Sequence, residues 1–148
     1  MPAISFSVTD NTALRKIVTL LLLMFCAQPP LSLPLSADES IERRVEAEVQ
    51  FFESRIRPVL VKHCYQCHSA DSKILRGGLQ LDHRDAMQAG GDSGFLFEPG
   101  NPEGSLLIEA LKHESFEMPP DERLSEKVIS DFVTWIERGA IDPRTQPV

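Results

Sequence analysis

The run Cys64-Tyr65-Gln66-Cys67-His68 sets two thiols three positions apart and an imidazole directly behind the second. That order is the attachment pattern of a c-type haem. Each thiol adds across one vinyl group of the porphyrin, and the histidine behind the second is carried under the iron as proximal ligand. Cys64 and Cys67 are therefore the candidate thioether sites for one covalent haem c, and His68 is the candidate iron ligand. Two other uses of the pair fit less well. A thioredoxin-like dithiol belongs near a βαβ pattern, whereas the residues ahead of Cys64 read as helix with no preceding strand. A zinc site needs four ligands, and the chain holds no second CxxC and no paired-histidine motif.

Upstream of the motif, Ile41, Val45, Val49, Phe52 and Ile56 recur at helical spacing and form one apolar stripe. The pattern predicts a helix over residues 41–56 with Ser40 as its N-cap. Pro58 should kink it, because proline lacks an N–H and disfavours the helical region at Arg57. A short turn over residues 59–63 then leads into Cys64. The stripe is expected to bury against the haem and the last helix.

Downstream, residues 69–78 are polar and turn-rich. Gly77-Gly78 suits either a positive φ or close passage by a flat ligand. Leu79 and Leu81 alternate with polar neighbours and read as a short extended segment. Residues 83–89 read as one or two helical turns stopped by Gly90. Asn101-Pro102-Glu103 is a helix-start signal, with Asn101 as cap and Pro102 in the first turn. The helix it predicts runs to about residue 112 and buries Leu106, Leu107, Ala110 and Leu111. Ser125 is the expected cap of the final helix, whose face carries Val128, Ile129, Phe132, Val133 and Ile136 and whose C′ position is Gly139. Every clear element is helical, so the fold class expected is all-α.

The other axial face of the iron has candidates in Met87, Met118, His63, His83 and His113. Met118 is favoured. It stands in a loop ahead of Pro119-Pro120, which restrict the backbone there and bias Met118 itself to an extended conformation. A thioether favours Fe(II), so His68/Met118 ligation would raise the potential and suit electron transfer. Met87 reads as core filler, His113 is the best alternative ligand, and His63 is expected to point away from the iron.

The N-terminus reads as addressing. Arg15 and Lys16 precede an apolar run over residues 17–27, too short to span a bilayer comfortably, in the pattern of a signal peptide. Cleavage is expected after Ala37, with Ala27 as the alternative site and an uncleaved membrane anchor as the competing reading. Cys26 reads as a hydrophobe of this leader. Residues 1–37 hold Arg15, Lys16 and Asp10, so the other 111 residues carry 13 basic and 21 acidic side chains, a net charge of −8. Such a balance argues against a nucleic-acid partner and is compatible with a basic redox partner. Only Cys64 and Cys67 remain in the mature chain, so no disulfide framework is available. An exported, periplasmic or cell-envelope location is where c-type attachment takes place.

Several segments together resemble the Planctomycete-type cytochrome c domain. They are Ile56-Arg57-Pro58-Val59-Leu60 ahead of Cys64-Tyr65-Gln66-Cys67-His68, Gly77-Gly78-Leu79, Gly91-Asp92-Ser93-Gly94 and Pro99-Gly100-Asn101-Pro102. Ser105-Leu106-Leu107-Ile108, Met118-Pro119-Pro120 and Trp135-Ile136-Glu137-Arg138-Gly139-Ala140 complete the set. The resemblance spans about residues 52–144. It implies a class I cytochrome c-like helical fold around one haem, with Cys64 and Cys67 as thioether sites, His68 proximal and Met118 distal. The layout expected is a leader over 1–37, a helical lead-in over 38–51, the cytochrome domain over 52–144 and a frayed tail over 145–148. The function expected is single-electron transfer by an exported monohaem carrier, not enzymatic catalysis, with unidentified donor and acceptor proteins. Two alternatives stay open: a module or split fragment serving a larger exported enzyme, and a haem-based sensor or peroxidase.

Overall fold

The computed structural model describes residues 37–145. Residues 1–36 of the leader expected over 1–37, and the last three residues of the expected frayed tail, lie outside the described residues. The polypeptide is already helical at Ala37, so Ser40 sits inside the first helix and does not cap it. Helix α1 (Ala37–Phe51) passes through a single π-helical turn (Phe52–Ile56) into α2 (Arg57–His63) without a break. The interruption expected at Pro58 is absent for a physical reason. In the π turn the Arg57 N–H bonds the Phe52 carbonyl, one residue further back than in an α-helix. This register shift brings Pro58 into the first turn of α2, where its missing donor leaves no bond unmade.

The apolar stripe is buried only in its C-terminal half. Phe52 and Ile56 are fully buried, whereas Ile41 is 57% and Val45 46% exposed. The difference follows from where partners lie. The last helix packs on the π turn, so the outer turns of α1 find no such neighbour for their apolar face.

The loop beyond the motif is held by glycine geometry. Gly77 and Gly78 each have φ of 60°, a region open to glycine at little steric cost. A Cβ on Gly78 would lie 2.6 Å from Asp92 Oδ1, and the Asp92 N–H donates to the Gly77 carbonyl at 2.8 Å. The pair therefore admits the following Gly91-Asp92-Ser93-Gly94 loop. Leu79 is extended in backbone, but no strand forms among the described residues. A short helix α3 (Arg84–Ala89) stops at Gly90, whose φ is 79°.

Helix α4 (Leu106–Leu111) begins later than the Asn101-Pro102 signal predicts. Residues 101–104 close a turn, with Asn101 Oδ1 accepting from the Gly104 N–H at 3.4 Å. The cap is Ser105, fully buried, whose Oγ accepts from the Ile108 N–H at 3.2 Å and donates to the Leu96 carbonyl at 3.3 Å. The helix buries Leu107, Ile108, Ala110 and Leu111; Leu106 is only half-buried.

The last helix, α5 (Glu126–Glu137), is capped as expected. Ser125 Oγ accepts from the Val128 N–H at 3.4 Å, and Gly139 turns the chain with φ of 98°. Ser125→Ala should cost about 1 kcal/mol in chemical unfolding; an unchanged unfolding midpoint would show the cap to be idle. Trp135 on α5 is the hub of the core. Its ring centroid lies 5.1 Å from that of Phe97, 5.7 Å from Phe52 and 6.3 Å from Phe132. Its indole N–H donates to the Ile141 carbonyl at 2.9 Å, so the buried polar atom is satisfied. The architecture is all-α.

Candidate haem site

The chain leaves α2 at Cys64 and winds one further helical turn. Cys67 N–H donates to the Cys64 carbonyl at 3.1 Å and His68 N–H donates to the same oxygen at 2.9 Å. Positions three and four apart lie on one side of such a turn, so Cys64 shares a side with Cys67 and with His68. No disulfide joins Cys64 and Cys67. Burial, with Cys67 close by, pushes the Cys64 thiol up to about 12. The shift is opposite to the lowering that activates a redox thiol.

His68 Nδ1 lies 3.3 Å from the Leu79 carbonyl. A carbonyl only accepts, so Nδ1 carries the proton and Nε2 keeps its lone pair, the arrangement that orients a metal-ligating imidazole. Burial lowers the His68 pKa, against backbone hydrogen bonding to Leu79 and Arg76 that raises it. The ring is thereby held neutral and competent to bind iron.

The loop after the motif braces it. Arg76 N–H donates to the Cys67 carbonyl at 3.2 Å and Leu81 N–H to the His68 carbonyl at 2.8 Å. Ser69 Oγ and Ser72 Oγ both donate to the Tyr65 carbonyl, at 2.7 and 3.1 Å. Asp82, fully buried, accepts from the Ala70 N–H at 2.8 Å. From the far end of the chain, Arg144 donates to the Tyr65 hydroxyl and, at 2.7 Å, to the Leu81 carbonyl. Its Nε and Nη2 grip Asp142 at 2.9 and 2.6 Å. Its guanidinium also lies 4.8 Å from the Phe52 ring centroid. Sequence reasoning missed this strut, since nothing local connects Tyr65 with a residue 79 positions away.

Met118 stands on a separate loop and is half-buried. Its N–H donates to the Ala110 carbonyl at 3.2 Å, and a cis peptide bond joins it to Pro119. No hydrogen bond links its loop to the Cys64–His68 turn among the described residues. Met87 is 1% exposed and belongs to the core. His63 ends α2, and His83 stands beside Asp82 with Nδ1 3.5 Å from Oδ1. His113 is half-buried, and its Nε2 is shut off from solvent without a hydrogen-bond partner.

These residues fit a haem. Among the described residues no group of three or more His, Cys, Asp or Glu side chains could hold a bare metal ion, but a porphyrin brings four nitrogens and asks the protein for only one or two more. Large apolar side chains stand exposed on both segments concerned: Val61, Ile74 and Leu75 flank the cysteine turn, and Phe116 precedes Met118. Apolar surface of this kind suits contact with a flat apolar group.

Residues 64–122 match the Planctomycete cytochrome C family. The matched stretch begins at Cys64, takes in the whole Cys64–His68 turn and reaches past Met118. A cytochrome c segment implies covalently bound haem c and a part in electron transfer. It covers less than half of the chain; α1, α2 and α5 lie outside it. No curated protein and no solved structure matches the chain. Among the described residues no helix is long and apolar enough to cross a membrane.

Proposed function

We propose that this protein is an exported cytochrome that binds one haem c and passes single electrons between a donor and an acceptor protein. The observation that supports the reading is the turn closed by the Cys64 carbonyl on the Cys67 and His68 N–H groups, with His68 Nδ1 3.3 Å from the Leu79 carbonyl. Cys64 and Cys67 hold the porphyrin through two thioether bonds, and His68 Nε2 is the proximal ligand. Met118 is the distal ligand, presented by a loop tied back to Ala110. When bound, the haem supplies the Fe(III)/Fe(II) couple. The chain supplies burial, orientation and axial donors, and none of these roles asks a side chain to act as acid, base or nucleophile.

Export is supported by the basic flank and apolar run of residues 15–27 and by the need for c-type attachment beyond the cytoplasmic membrane. The test is a haem stain on a denaturing gel after expression with the c-type maturation machinery. The wild-type chain should stain and Cys64→Ala/Cys67→Ala should not, because only thioether bonds survive denaturation. An unstained wild-type chain, or a stained double variant, would refute the assignment.

A further inference from the structure

The sharpest anomaly outside the cysteine turn is His113. A buried polar atom normally has a hydrogen-bond partner, yet His113 Nε2 is sealed from solvent with none. Its backbone adds a second cost. His113 takes φ of 62° just after α4, the left-handed position where glycine is the usual occupant and a Cβ is strained. Two costs at one residue are retained where something else repays them.

The placement says what that is. Ala110 O accepts from both the His113 N–H, at 3.1 Å, and the Met118 N–H, at 3.2 Å. One carbonyl thus pinches the loop shut and sets the backbones of residues 113 and 118 side by side. An imidazole and a thioether, both iron ligands, stand at the two ends of that loop.

We propose that His113 is a reserve distal ligand, which takes the haem iron through Nε2 when Met118 leaves it. In the exchange the iron–sulfur bond to Met118 breaks and an iron–nitrogen bond to His113 forms. No electron moves in the exchange; Nε2 binds iron through its lone pair, which leaves the ring proton on Nδ1. A thioether favours Fe(II), so oxidation of the iron weakens the Met118 bond and favours His113. The inference rests on the proposed His68/Met118 ligation and deepens it.

The test uses the haem-loaded full chain, reading the ferric spin state by electron paramagnetic resonance. Met118→Ala should remain six-coordinate and low-spin, with the signature of two imidazoles. Met118→Ala/His113→Gly should become high-spin and return to low-spin on adding free imidazole. Glycine suits φ of 62°, so this variant removes the ring without straining the fold. A high-spin Met118→Ala protein would overturn the proposal, as would a double variant that stays low-spin without added imidazole. Failure of the underlying reading is seen separately in ferric His113→Gly, where no reserve imidazole competes, as absence of the thioether-to-iron charge-transfer band. If that band is absent and His113→Gly alone turns high-spin, His113 is the resident ligand and both the Met118 assignment and the reserve role fall.

Discussion

With Met118 as the proposed distal ligand, Met118→Ala should lower the reduction potential of the haem-loaded protein, by on the order of 100 mV within the ~0.8 V that axial ligands span. The direction follows from ligand softness. A thioether accepts electron density and favours Fe(II), whereas nitrogen or water in its place favours Fe(III). The loop is suited to delivering a weak ligand. Its base is fixed by the Ala110 carbonyl, and Pro119 is buried behind Met118, so little chain entropy remains to be lost when the sulfur binds. A spectroelectrochemical titration of wild type and variant measures the shift. Equal midpoints, with the thioether-to-iron band intact in both, would show that another residue holds that face.

Arg144→Leu destabilises the fold by about 3–5 kcal/mol, the cost of stripping one partner from a buried ion pair. The Arg144 and Asp142 side chains are only 3% and 2% exposed, so water cannot replace the lost contacts. The variant leaves Asp142 charged and buried, removes a donor from the Tyr65 hydroxyl and the Leu81 carbonyl, and lifts the cation off Phe52. Chemical unfolding of the wild type, Arg144→Leu and Arg144→Leu/Asp142→Leu separates these effects. The double variant should recover part of the loss, because replacing both members of such a pair is far cheaper than orphaning one. A single variant within 1 kcal/mol of wild type would mean that the strut carries no net stability, below the usual range for such pairs. Since Arg144 reaches both Tyr65, between the two cysteines, and Leu81, whose N–H holds the His68 carbonyl, its loss should also loosen the turn.

Reading α5 from the chain worked because one local signal dominated. The stripe of Val128, Ile129, Phe132, Val133 and Ile136, with Ser125 before it and Gly139 after, has only one helical solution, and α5 has those caps. Asn101-Pro102 misled because a turn and a helix start share the same residues. The buried Ser105 and the tight 101–104 turn decided between them. Pro58 misled in the opposite sense, since a proline breaks an α-helix but not one whose register slips through a π turn just before it. Ile41 and Val45 were periodic yet exposed. Periodicity reports which residues share a face and not whether any partner covers it.

The spacing of Cys64, Cys67 and His68 made the candidate site legible, because i, i+3 and i+4 positions lie on one side of a helical turn. That information is local, and so it was legible without a fold. The contacts that orient and brace that turn depend on the packing of distant segments. The Leu79 carbonyl selects the His68 tautomer, Arg144 braces Tyr65 from the end of the chain, and the Ala110 carbonyl sets His113 beside Met118. Such pairings join residues from 5 to 79 positions apart through backbone carbonyls and side chains whose meeting depends on how the helices pack, and no spacing along the chain encodes them.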